Sequence, residues 1–282
     1  MSRPYHAAVT LFALSIVAIV VGCNKPSKDV VVEGNSHADH GSHATKTEAE
    51  KSPQLILTST PQQLAAGQPI ELQIMLHDAS GNMLKDFEST HTKLAHLIIV
   101  REGLDEFAHL HPTVDSSGKM RVTHTFPKGG SYLVFLDHKL RGNPATTSTS
   151  KIAVQGEAPA AAALISNVPG TVKGNGLNAE VSHQIATDKT QILTFQVQDE
   201  SGQAVSDLQP YLGAMGHLVV LSADGTQYVH AHPLTETSPD GKVAFEVHFP
   251  GPGTYKAWGQ FQRSEHVFTI PAVVNIEAGA HH

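Results

Sequence analysis

From Leu55 onward, apolar positions alternate with polar ones or run unbroken for a few residues, and turn-forming residues interrupt them at short intervals. The runs include Ile70 to Leu76, Ala95 to Val100, Phe107 to His111, Lys119 to Phe126 and Tyr132 to Leu136, punctuated by Ser80-Gly81 and Lys128-Gly129-Gly130. Alternation puts every second side chain on one face of a strand, and frequent turns keep the strands short. No long amphipathic helix pattern is present. The rhythm predicts an all-β chain built as a sandwich.

The second half repeats the first. Asp78-Ala-Ser80-Gly81 recurs as Asp199-Glu-Ser201-Gly202, 121 positions later, and Asp86 recurs as Asp207. Phe126-Pro127-x-x-Gly130-x-Tyr132 recurs as Phe249-Pro250-x-x-Gly253-x-Tyr255, now 123 positions later. The spacing changes only in a predicted connection after the His-Pro step, so a whole domain is duplicated. The Gly-x-Tyr step suits a tight turn into a strand whose tyrosine closes the sandwich edge, as in a tyrosine corner. The expected architecture is two tandem immunoglobulin-like β-sandwich domains.

Histidines recur with the strands. His96-Leu-Ile-Ile-Val100 is followed by His109-Leu-His111-Pro112, and His217-Leu-Val-Val-Leu221 by His230-Ala-His232-Pro233. Opposed residues of a hairpin have numbers with a constant sum, fixed by the turn. A turn centred on Asp224-Gly225 gives 449, which is also the sum for His217 and His232. In the first copy His96 and His111 sum to 207, centring the turn on Gly103-Leu104. Asp-Gly suits a type I′ turn and Gly in the first central position a type II′ turn. His109 and His230 lie two residues from the opposed histidine and point the same way. Each hairpin therefore gathers three imidazoles on one face: His96, His109 and His111, then His217, His230 and His232. Opposed Cβ atoms about 5 Å apart let such a trio reach one ion at about 2.0–2.1 Å per bond. Pro112 and Pro233 lack an N–H for the ladder and place the last histidine at a sheet margin. Packed structural histidines are the competing explanation.

An all-imidazole site suits copper or zinc, copper(II) having the highest intrinsic affinity. Met215, two residues before His217, is an additional candidate ligand if its strand extends that far. His77, His91, His124, His138, His183, His248 and His266 have no matching partner in the other copy and are expected to be solvent-facing or incidental.

At 282 residues and 40% hydrophobic, the chain can bury two cores, while its net charge of −7 argues against nucleic acid as a partner. Arg3 precedes an apolar stretch from Ala7 to Val21, short for a membrane span, which reads as a signal peptide. Cys23, the single cysteine, follows Val20-Val21-Gly22, and this segment resembles the bacterial lipobox. That resemblance implies cleavage before Cys23 and its lipidation. Asn24 after the cysteine, by resemblance to Gram-negative sorting rules, implies the outer membrane. Residues 23–52 read as a polar, disordered tether in which His37, His40 and His43 are further candidate ligands.

The hairpin followed by Phe-Pro-x-x-Gly-x-Tyr is similar to that of a group of bacterial secreted proteins and lipoproteins akin to the YtkA-like and CopC-like periplasmic sandwiches. The similarity covers about residues 55–155 and 165–277, and it implies copper or heavy-metal handling. CopC-like proteins also use an N-terminal amine as a copper ligand. Acylation of Cys23 would block that, so this chemistry is not carried over.

The expected organisation is a lipoprotein signal peptide (1–22), tether (23–52), first sandwich (53–156), Ala/Pro linker (157–163), second sandwich (164–277) and tail (278–282). The expected function is a lipid-anchored envelope protein that buffers, sequesters or delivers a metal ion. The alternative is a structural or protein-interaction module with an envelope partner. Three histidines and a water would also suit a zinc enzyme, but no general base or oxyanion donor stands at a readable spacing, so no catalysis is expected.

Overall fold

The computed structural model describes residues 53–186, 190–231 and 233–278. Cys23, His37, His40, His43 and His232 lie outside the described residues. The first half contributes β1 (Gln54–Thr60), β2 (Pro69–His77), β3 (Ala95–Arg101), β4 (Phe107–Leu110), β5 (Thr113–Val114), β6 (Met120–Thr125), β7 (Gly130–Lys139) and β8 (Ala145–Val154). The second contributes β9 (Gly170–Lys173), β10 (Asn178–Ile185), β11 (Thr190–Gln198), β12 (His217–Ser222), β13 (Tyr228–Ala231), β14 (Lys242–His248), β15 (Gly253–Arg263) and β16 (His266–Ile276). The fold is all-β, in two tandem domains of two sheets each. The sheet orders are β1-β2-β6-β5 and β4-β3-β7-β8 in the first domain, and β9-β10-β11-β14 and β13-β12-β15-β16 in the second.

Each domain has its own core. In the first, Ile70, Leu72, Ile74 and Leu76 of β2 meet Leu97 and Ile99 of β3 and Val134 and Leu136 of β7. In the second, Leu193, Phe195 and Val197 of β11 meet Leu218 and Val220 of β12. The tyrosine corners form: Tyr132 Oη donates to the Lys128 carbonyl at 2.7 Å and Tyr255 Oη to the Gly251 carbonyl at 2.8 Å.

A third apolar cluster lies between the domains. Strand β2 alternates between buried and partly exposed positions, but every residue of β3 and of β12 is buried. A strand apolar on both faces must be covered on both. The outward residues Ile98, Val100 and Phe135 of the β4-β3-β7-β8 sheet pack with Val219, Leu221 and Trp258 of the β13-β12-β15-β16 sheet, joined by Leu104. Burying a side chain of this size contributes roughly 1.5–3 kcal/mol, so this face-to-face contact is a strong one. The linker is held against the first domain. Gly129 N donates to the Glu157 carbonyl at 2.7 Å, Arg101 Nη2 donates to the Pro159 carbonyl, and Leu164 packs against the interdomain cluster.

Candidate metal centre

Both hairpins have the predicted register. In β3–β4, Leu97 opposes Leu110 and Ile98 opposes His109; in β12–β13, Leu218 opposes Ala231 and Val219 opposes His230. The turns differ from expectation. Arg101 N bonds the Glu106 carbonyl at 3.0 Å and Ser222 N the Gln227 carbonyl at 2.9 Å, which closes a four-residue loop in each copy. The left-handed residue is Leu104 (φ 55°) in one and Gly225 (φ 74°) in the other. Two residues were added symmetrically about the predicted turn centre, so the register sum survived.

The histidines occupy alternate positions with the residues of the interdomain cluster. His96 precedes Ile98 and Val100 on one face of β3, and His217 precedes Val219 and Leu221 on β12. The docking of the two sheets therefore puts His96, His109 and His111 of one hairpin and His217 and His230 of the other into one chamber. Among His96, His109, His217 and His230, all six pairs of ring centroids lie between 5.3 and 6.5 Å apart. His111 lies 5.1 Å from His96 and 4.7 Å from His109. The sequence pointed to a self-contained trio in each domain. In the structure the first trio shares one space with His217 and His230, because each hairpin's outward face is apolar and is covered by the other's.

Ring orientation follows from what holds each outer nitrogen. His96 Nε2 donates to the Thr90 carbonyl and His217 Nε2 to the Tyr211 carbonyl, both at 2.9 Å. A carbonyl only accepts, so each ring carries its proton on Nε2 and leaves Nδ1 as a lone pair. Thr90 and Tyr211 occupy matching two-residue turns, Thr90–Lys93 and Tyr211–Ala214, whose central residues all have positive φ, as type I′ requires. His109 Nδ1 donates to Gln260 Oε1 at 2.6 Å and His230 Nδ1 to Asp137 Oδ2 at 2.8 Å. Those rings turn Nε2 inward.

The consequence is clearest in the first trio. His96 Nδ1 and His109 Nε2 are 3.1 Å apart, and each is the unprotonated nitrogen of its ring. One ligand nitrogen from each of His96, His109 and His111 lies within 4.8 Å of the others. His111 Nε2 is buried with no hydrogen-bond partner among the described residues. Burial holds His96 below the ordinary imidazole range, against the pull of the Thr90 carbonyl. Burial likewise lowers His109 to about 2 and, with the neighbouring His96 and Lys93 adding to it, His111 to about 4. Neutral imidazoles with convergent lone pairs are the form that binds a metal.

Asp137 supplies the buried negative charge of the chamber. Burial pushes its carboxyl up, but hydrogen bonds from His230, Thr147 and Tyr228 hold it below the usual carboxylate range. A pocket of about 240 Å³ lined by His91, His96, Asp137, Thr147 and His230 opens to this space.

Sequence reasoning missed three participants. His91, expected to be incidental, projects from the Thr90–Lys93 turn to 5.9 Å from His96, 5.7 Å from His217 and 6.2 Å from His230. Leu212 holds the equivalent turn position in the second domain, which is why no repeat signalled it. Asp137 and Gln260 were also missed. They are register equivalents, Asp137 opposing His96 and Gln260 opposing His217. His138 is buried, 2% exposed, with Nε2 3.0 Å from Ser148 Oγ, and does not face solvent as expected. Met215 is corrected in the other direction. Strand β12 begins at His217, and Met215 packs in the second domain's core among Leu218 and Val220, so it is not placed as a ligand.

Among curated proteins nothing matches the chain. Among solved structures it is similar to the Escherichia coli adhesin FdeC (18% identity, 79% of this chain and 64% of that one, TM-score 0.25). It is also similar to invasin, a bacterial integrin-binding protein (12%, 81% and 40%, TM-score 0.23), and to the Yersinia pseudotuberculosis adhesin InvE (14%, 79% and 59%, TM-score 0.23). The chain spans less than two thirds of the length of each of these three, and scores at this level carry no functional inference. The family model described as Domain of unknown function (DUF8832) matches twice, over residues 51–156 and 171–278, and the chain therefore belongs to that family as a tandem pair.

Proposed function

We propose that this protein binds copper or zinc in the interdomain histidine chamber and buffers, sequesters or delivers the ion without catalysing a reaction. The observation that carries the reading is the pair of inward lone pairs on His96 and His109, 3.1 Å apart, with His111 beside them. Two nitrogens bound to one tetrahedral ion at about 2.0–2.1 Å stand about 3.3 Å apart, close to the spacing here. Two facing lone pairs repel unless a cation lies between them, and burial disfavours a proton on either ring. The donor set is all imidazole, which suits copper(II) and zinc(II) and places copper first in affinity.

The segment ending in Gly22-Cys23 supports a lipid anchor in the cell envelope. The membrane is then a partner through that anchor alone. Cys23→Ala is expected to release the protein from the membrane fraction.

The test is titration of the metal-stripped protein with Cu(II) and Zn(II) against a competing chelator. Saturable binding at or below low micromolar metal is expected, with a loss of at least 100-fold in the His96→Ala, His109→Ala, His111→Ala triple variant. No saturable binding, or unchanged binding in that variant, would sink the reading. It would leave the alternative, an envelope interaction module whose partner binding ignores chelators.

A further inference from the structure

At the positions facing His96 and His217 across the neighbouring strand stand Asp137 and Gln260. Neither bonds the ring opposite it. Asp137, in the first domain, accepts from His230 of the second; Gln260, in the second, accepts from His109 of the first. The two contacts are the same contact exchanged by the approximate two-fold relation between the domains. Gln260 is 5% exposed, and its Nε2 donates to Thr269 Oγ1 at 3.3 Å, which leaves Oε1 to face His109.

We propose that Gln260 and Asp137 are positioning residues that act across the domain interface: each fixes the tautomer of a metal-facing ring that belongs to the other domain. The ion centre is then a property of the docked pair. Separated, either domain keeps its histidines but loses the acceptor that turns Nε2 of His109 or His230 inward. The two acceptors are not alike. A carboxylate makes the attached imidazole a stronger donor than an amide does, so Asp137 acts on His230 more strongly than Gln260 acts on His109. An outer acceptor of this kind is worth roughly 10- to 100-fold in metal affinity. This inference rests on the metal reading above.

Three variants of the full chain separate positioning from mere packing. Gln260→Leu removes the acceptor at similar volume, Gln260→Glu keeps an acceptor, and Asp137→Asn keeps the shape without the charge. Zn(II) affinity by chelator competition is expected to fall about 10- to 100-fold in Gln260→Leu and in Asp137→Asn. Gln260→Glu is expected to restore or exceed the wild-type value. Nitrogen-15 NMR of the metal-free wild-type protein should show His109 protonated on Nδ1, and Gln260→Leu should lose that single tautomer. Wild-type affinity and an unchanged His109 tautomer in Gln260→Leu, or a Gln260→Glu variant as weak as Gln260→Leu, would overturn the proposal. Absence of Zn(II) or Cu(II) binding by the wild-type chain would instead remove the metal reading, and the tautomer would still decide whether Gln260 positions His109.

Discussion

Trp258 of the second domain lies flat on Phe107 of the first, with ring centroids 4.8 Å apart and planes 13° from parallel. Tyr228 and Phe135 make the reciprocal stack at 4.5 Å and 11°. Phe107 and Tyr228 are equivalent positions, as are Phe135 and Trp258, so the interface is built twice by one rule. Each aromatic residue contributes to docking and so to the placement of the residue two positions along its strand: His109, His230, Asp137 and Gln260.

Trp258 is the single tryptophan, 3% exposed, so its fluorescence reports on docking. Its emission is expected to be blue-shifted in the native protein and quenched on Cu(II) addition. Residue 260 of the same strand, about 7 Å further along, holds His109. Trp258→Ala should cost about 3–5 kcal/mol in chemical denaturation and weaken metal binding with it. A native emission maximum like that of free tryptophan would contradict the docked arrangement.

Acid should loosen the metal-free protein. Burial puts the folded-state pKa of His109 at about 2 and that of His111 at about 4, against an ordinary 6.5. The unfolded chain therefore takes up protons first as pH falls. Stability is complete above about pH 6.5 and declines below it, through about 4 for His111 and on toward about 2 for His109. At pH 5 His109 alone accounts for a loss on the order of 2 kcal/mol, or a Tm lower by roughly 4–8 °C. Thermal melts in chelator at pH 7.5 and pH 5 check this; coincident curves would contradict it.

Met215→Leu is expected to leave metal affinity unchanged. Met215 packs in the second domain's core, and a swap of similar volume there costs under about 1.5 kcal/mol. A tenfold drop in Cu(I) affinity with an unchanged Tm would make the thioether a ligand after all.

Leu104 sits in the left-handed region (φ 55°) yet is only 1% exposed, within the interdomain cluster. Leu104→Gly relieves about 1–2 kcal/mol of backbone strain but removes a buried leucine, a loss of about 3–5 kcal/mol. The side chain wins, and a net destabilisation of roughly 1–4 kcal/mol is expected in urea unfolding. A stabilised variant would show that Leu104 contributes nothing to docking.

Much of this was legible in the chain. Alternation at Ile70, Leu72, Ile74 and Leu76 marked a half-buried strand, and the 121-residue repeat marked the duplication. The sums 207 and 449 placed His109 and His230 on the correct face even though the turns were of another kind, because a symmetric lengthening of a loop preserves register. One signal went unused. Beyond His96 and His217 themselves, His96-Leu-Ile-Ile-Val and His217-Leu-Val-Val-Leu have no polar residue on the face that a sandwich usually gives to water. An apolar outward face calls for a cover.

The sequence by itself determined the strands, the two copies, and which side of each hairpin carries imidazole, since these depend on period-two geometry and nearby turns. Only the tertiary structure decided that the two histidine faces meet, that His91 joins them, and that Gln260 and Asp137 orient rings across the boundary. Those relations join residues such as His109 and Gln260, which the chain separates by 151 positions. They arise when two sheets exclude water from their shared apolar face, and no local pattern records which face will find which.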